Sequence, residues 1–132
     1  MLRRLETAEV GRLATTGSGG RPHIVPLTFA VEGETVYFAV DAKPKRTANL
    51  QRLKNIAANP AVALLVDHYE SDWTRLWWVR ADGRARVVDD LAAAERAIDL
   101  LQRKYAQYAV ARPQGPVVEI VIERLTGWAA TG

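Results

Sequence analysis

Apolar and polar positions alternate with period two along several stretches of this chain, the signature of half-buried strands. Across HIVPLTFAV (23–31), Val25, Leu27, Phe29 and Val31 share one face and Ile24, Pro26, Thr28 and Ala30 the other. TVYFAVD (35–41) alternates likewise, and VVEIVIERL (117–125) sets Val118, Ile120 and Ile122 against Glu119, Val121 and Glu123. RLATT (12–16), TRLWWVR (74–80) and RARVV (84–88) read as further strands, and AVALLVD (61–67), apolar on both faces, as a central one. GSGG (17–20), EGE (32–34) and Ala81-Asp82-Gly83 predict hairpin turns between them. Pro26 cannot donate to a ladder, so its strand is expected to have an edge or a bulge there.

The helical period is confined to three places. LRRLETAE (2–9) predicts a short amphipathic helix broken by Gly11. Leu50, Leu53 and Ala57 recur at helical spacing with Arg52 and Lys54 turned outward, and Asn59-Pro60 stops that segment. The longest helix follows Asp89 or Asp90 as N-cap, with Leu91, Ala94, Ile98, Leu101, Tyr105 and Tyr108 on its apolar side, up to RPQGP (112–116). About seven strands joined mostly by hairpins imply a mainly β fold with inserted helices, an antiparallel barrel or sandwich rather than a doubly wound parallel sheet.

Composition narrows the class. The 132 residues predict a single domain over 1–132, and 48% apolar with 25% charged residues is a soluble globular balance. No run approaches the ~18 apolar residues of a spanning helix, and no secretory signal is visible at the N-terminus, so a cytoplasmic location is expected. With no cysteine, disulfides, thiolate metal sites and cysteine nucleophiles are excluded. A net charge of +3 suits an anionic ligand but falls short of a dedicated nucleic-acid binder.

Candidate chemistry concentrates in VDAKPKRTANL (40–50), where Lys43, Lys45 and Arg46 gather between a strand and a helix. Cations at a helix N-terminus oppose its dipole at roughly 0.3–1 kcal/mol each, a cost that a bound phosphate would offset. Pro44 suits a first helical turn, and Thr47 and Asn49 add short polar side chains. A solvated charged surface is the alternative. Trp77 and Trp78 are adjacent in a strand and must face opposite sides; one can be core, the other an aromatic wall, a dimer contact or a cover for the sheet. His23 and His68 have no metal-site spacing, and Ser18 in GSGG lacks a nucleophile-elbow pattern. No acid/base pair stands out, so no catalytic residue is assigned; an enzyme built from this chain would draw its reactive group from a cofactor.

These pieces together resemble a known family. GRLATT with its G-x-LAT strand, the G-x-P hairpin arm, VPLTF, a basic segment ending in NL, the NP turn and the later WWVRADGRARVVDD are similar to the flavin and deazaflavin reductase superfamily, which includes the pyridoxamine-phosphate-oxidase-like proteins. The K-P-K-R-T-x-N-L form most resembles the actinobacterial branch that uses coenzyme F420, a deazaflavin with an acidic phospholactyl-oligoglutamate tail. The resemblance implies an FMN-binding-like split β-barrel working as a homodimer, with the cofactor at the subunit interface. It implies that Lys43, Lys45, Arg46, Thr47 and Asn49 hold the phosphate and the start of the tail. Val25, Pro26, Leu27 and Thr28 would run along the ring, and Trp77 or Trp78 from the second subunit would close the pocket.

The implied activity is hydride transfer from reduced F420 to a small organic substrate. An FMN-dependent oxidoreductase of the same fold is the alternative, and a non-catalytic F420, haem or tetrapyrrole binder is a further one. A nucleic-acid-binding barrel would need cations interleaved with aromatics on more than one strand; Arg75, Trp77 and Val79 do this only in part.

Overall fold

A computed structural model describes residues 1–40 and 47–131, and within the second span the side chains from Gln51 onward. Lys43, Lys45 and Arg46 lie outside the described residues. The elements in chain order are α1 (Leu2–Thr7), β1 (Gly11–Thr16), β2 (Pro22–Leu27), β3 (Ala30–Glu32), β4 (Thr35–Ala39), α2 (Thr47–Ala58), β5 (Ala61–His68), β6 (Trp77–Val87), α3 (Leu91–Lys104), α4 (Ala106–Val110) and β7 (Val117–Ala129), with a 3-10 turn at Trp73–Arg75.

The seven strands form one antiparallel sheet in the order β2-β1-β5-β6-β7-β4-β3. Its two edges, β2 and β3, are consecutive in sequence and separated only by Thr28 and Phe29. The three Cα steps from Leu27 to Ala30 reach roughly 11 Å at most. The edges are therefore neighbours in space, and the sheet has to curl. Burial agrees. Leu13, Leu27, Phe38, Leu64, Val66, Val79, Ala81, Val118 and Ile120 come from six strands of one sheet, yet they pack into a single core with Phe29, Leu5 of α1 and Ile56 of α2. The architecture is a split β-barrel, mainly β with inserted helices.

The chain departs from its hydrophobic pattern in five places. The alternation of residues 23–31 is continuous in sequence, but the strand breaks at Thr28–Phe29 because its halves pair at opposite edges of the sheet. Pro26 sits on edge strand β2, as its missing N–H requires. Ala81-Asp82-Gly83 is no hairpin turn. β6 runs through it with a bulge at Asp82/Gly83, between β5 and β7. Gly83 is needed there for contact: a Cβ would sit 2.4 Å from the Val121 carbonyl oxygen.

The long helix ends at Lys104, and Tyr105, in extended backbone, begins the separate α4. Asp90 is the N-cap of α3, accepting from the Ala92 N–H, and Leu91 at the exposed start of the helix is 82% accessible. Ala97 and Ile98 instead seat α3 on Val88 and Val117. β7 continues past Leu125 to Ala129, beyond its sequence alternation. Finally, α2 is rotated from the predicted face. Ala57 is exposed, while Arg52 is buried, its guanidinium 5.6 Å from the Phe38 ring centroid, and burial lowers its pKa. Lys54 is exposed, as expected. Among the described residues no helix is long and apolar enough to cross a membrane.

Candidate functional site

The break between β2 and β3 is held by two tyrosines from the α3–α4 boundary. The Phe29 N–H donates to the Tyr105 hydroxyl at 3.1 Å, and that hydroxyl lies 2.8 Å from the Glu9 carbonyl and 2.9 Å from the Phe29 carbonyl. The Tyr108 and Thr28 hydroxyls share a 2.7 Å hydrogen bond. Lys104 completes the joint, its ammonium 4.1 Å from the Phe29 ring centroid and 5.3 Å from that of Tyr105. Burial pushes Lys104 down to about 8 and, against the opposing hydrogen bond at Phe29, raises Tyr105. The helical period places both tyrosines among apolar positions; instead the Tyr105 hydroxyl satisfies backbone at Phe29 and Glu9, and the Tyr108 hydroxyl bonds the Thr28 side chain.

Residues Val25–Leu27 lead into this joint on β2, whose side away from β1 meets no strand among the described residues. Leu27 is buried in the core and can offer a ligand only backbone, Val25 is half-buried, and Pro26 is exposed. Thr47 and Asn49 fall in the first turns of α2, which lies against β1 through Asn55 and Thr15.

The two tryptophans divide as adjacent strand residues must. Trp77 packs on the barrel core, with His68 stacked at 6.5 Å between centroids and the Arg4 guanidinium 4.8 Å from the ring centroid. Trp78 faces the outside of the sheet. There it lines a groove of about 540 Å³ with Ile24, Leu65 and Tyr69, with Arg12 and Arg80 at the rim. Arg12 lies 3.8 Å from Asp67 and Arg80 3.1 Å from Asp82. The groove thus joins β2, β1, β5 and β6. Ile24 is 65% exposed and Tyr69 64%. Trp128, opposite Trp78 in the β6–β7 register, is exposed as well. Such an apolar, aromatic patch on an outer sheet face is characteristic of a ligand or partner surface.

The structure therefore brings Trp78 together with the outer face of β2 and sends Trp77 elsewhere. Arg12, Ile24, Leu65 and Arg80 were not singled out in the sequence. The period-two rule places Arg12 and Ala14, Ile24, Leu65, and Trp78 and Arg80 on one face once strand order is known, but strand order is not readable from one sequence. Among the described residues no group of three or more histidine, aspartate or glutamate side chains could hold a metal ion.

These observations define the class as an antiparallel split barrel with an apolar outer groove running from its central strands to an edge strand. The particular family is shown by sequence: the chain belongs to the pyridoxamine 5'-phosphate oxidase family, whose profile matches residues 1–129. A 5a,11a-dehydrotetracycline/5a,11a-dehydrooxytetracycline reductase from Streptomyces rimosus is 35% identical over 57 residues, 43% of this chain, and the match spans 39% of that relative's length. Among solved structures, a conserved hypothetical protein from Mycobacterium tuberculosis superposes with a TM-score of 0.73 at 23% identity, over 97% of this chain and 81% of the other. A FAD-binding protein from Mesorhizobium loti gives 0.72 at 24% identity, over 96% and 89%. At such identities these structures share the fold.

Proposed function

We propose that the chain is a homodimeric, coenzyme F420-dependent oxidoreductase that transfers a hydride from the reduced deazaflavin to a small organic substrate. The observation that carries this reading is the outer groove. Its volume lies in the ordinary range for a small-ligand site, about 300–1,000 Å³. It is walled by an indole and aliphatic side chains, and it remains open on the solvent side where a second copy would close it. The family match and the reductase named among the relatives support the reaction type.

In this reading the side of β2 away from β1, from Val25 to Thr28, lies along the ring and supplies backbone donors and acceptors. Lys43, Lys45 and Arg46, with Thr47 and Asn49 at the start of α2, hold the phosphate. Trp78 of the partner subunit covers the ring, the two grooves facing each other across the dimer. When bound, the reduced deazaflavin supplies a hydride from C5. The chain's residues anchor the phosphate, fix the plane of the ring and keep water from the reacting atoms.

FMN is the second reading, favoured by the FAD-binding name of a structural neighbour. Titrating oxidised F420 and FMN side by side separates the two. Transfer of label from C5-deuterated reduced F420 to product then tests the chemistry. Tight FMN binding with no affinity for F420 refutes the cofactor, and binding without reduction of any substrate in a screen of unsaturated ketones, quinones and nitro compounds marks a carrier.

A further inference from the structure

Away from the outer groove, a second hollow of about 330 Å³ lies between the β1–β2 hairpin and α2. We propose that it is an anion subsite for a carboxylate- or phosphate-bearing group. Its lining carries Arg21, His23 and Lys54 and no aspartate or glutamate. Arg21 and Lys54 are exposed, and neither has an ion-pair partner among the described residues. Ser18 of the hairpin turn also lines the hollow, and the buried His23 Nδ1 has no hydrogen-bond partner.

The floor is built rather than incidental. Asn55 is 4% exposed and Thr15 1%, two of the three buried polar or charged residues among those described. Asn55 Nδ2 donates to Thr15 Oγ1 at 3.1 Å, and Gln51 Nε2 donates to Asn55 Oδ1 at 2.8 Å. Gly17 is shaped around this pair: a Cβ there would come within 2.6 Å of Asn55 Oδ1. Burying an amide is costly unless its partners are fixed, and here the fixed amides form the base of a hollow whose mouth is cationic.

Two sources could supply the anion. One is the acidic tail of the cofactor, passing from the start of α2 along the helix to Lys54 on its next turns; this arm rests on the proposed function. The other is a separate anionic substrate. Both meet the same two cations.

The test titrates the full chain with inorganic phosphate and with citrate, following amide NMR shifts of residues 17–23 and the side-chain amides of Gln51 and Asn55. Saturable shifts there in the wild type are expected, weakened about tenfold or more in the Arg21→Ala/Lys54→Ala double variant, the scale of a lost charge-assisted hydrogen bond. No shift at these amides, or equal shifts in the double variant, overturns the subsite. A second titration compares F420 carrying glutamates with the form that has none. Preference for the tailed form in the wild type, lost in the double variant, assigns the hollow to the tail. Equal affinities alongside retained phosphate binding assign it to a separate anion. If neither deazaflavin binds, the proposed function fails while the phosphate titration still decides the subsite.

Discussion

Tyr105→Phe removes one oxygen from the place where the barrel closes. Three groups meet at that oxygen: the Phe29 N–H as donor and the Glu9 and Phe29 carbonyls as acceptors for a single proton. Phenylalanine keeps the ring, so packing and the contact to Lys104 are retained. Phe29 is fully buried, and its N–H loses its partner. An orphaned buried donor costs roughly 1–3 kcal/mol. The carbonyls suffer less, since each can accept at its other lone pair and the proton serves only one at a time.

A loss of about 2 kcal/mol follows. Unfolding entropy of about 2.1 cal/mol/K per residue gives roughly 0.28 kcal/mol/K for 132 residues. The midpoint should therefore fall by about 7 °C. Scanning calorimetry at matched protein concentration measures this without confusion from any change in association. Tyr108→Phe is the comparison. Its hydroxyl bonds another hydroxyl, Thr28, at a partly buried site, and its loss should cost within about 1 kcal/mol. A Tyr105→Phe midpoint within 1 °C of wild type, or no lower than that of Tyr108→Phe, would refute the role of the joint.

Gly83→Ala drives a methyl into the Val121 carbonyl oxygen at 2.4 Å and Ile120 Cγ2 at 2.8 Å; a loss of about 2–4 kcal/mol in urea unfolding is expected, and an unchanged midpoint contradicts it. Lys104 titrates near 8 in the folded chain against 10.5 unfolded. Stability should rise with pH across that window, where only the unfolded state still holds the proton, and Lys104→Met should abolish the rise and stabilise the neutral-pH protein by about 1–2 kcal/mol after discounting for partial exposure and the ring contacts. Lys45→Glu and Arg46→Glu should each weaken F420 binding by more than tenfold, with exposed Arg103→Glu as the control; equal affinities would return the basic segment to a solvated surface. Trp78→Ala should shift sedimentation from dimer toward monomer while Trp73→Ala, at an exposed position, leaves it unchanged; a monomeric wild type removes the two-subunit site.

Period and punctuation carried most of the fold. Residues 12–16, 61–67 and 117–125 are strands where alternation or apolar run put them, Asp90 caps its helix, and Pro26 is on an edge. The errors share one cause: pairing partners distant in sequence. The alternation of 23–31 is unbroken because both halves face the same core, from opposite edges of one sheet. Ala81-Asp82-Gly83 has turn chemistry, yet here Gly83 serves the close approach of β7. Arg52 is polar by type but spans to the Phe38 ring, its stem buried. For the site, the opposed faces of Trp77 and Trp78 were legible from the strand period. The groove around Trp78 was not, since its walls come from four strands whose order the sequence does not state.

The break at Thr28–Phe29 connects closure of the barrel with the proposed chemistry. A continuous strand over 23–31 would satisfy its hydrophobic pattern equally well, so the pattern does not explain the break. Closure does, because the last backbone groups of β2 and the first of β3 must leave one edge and join the other. That turns their hydrogen-bonding capacity away from neighbouring strands and leaves it for other partners. Tyr105 takes the Phe29 amide and Tyr108 the Thr28 hydroxyl, which fixes the joint. Val25–Leu27, just before it, remain an edge with no strand beyond among the described residues. Such an edge normally invites aggregation and is blunted by proline or covered. Here Pro26 blunts it in part, and a flat ring ligand with donors and acceptors along its rim would cover the rest. Hydride transfer needs the reacting atoms within about 3–3.5 Å, a tolerance that a fraying strand end would not keep. The same tyrosines that close the barrel therefore hold still the one strand edge along which the ring is proposed to lie.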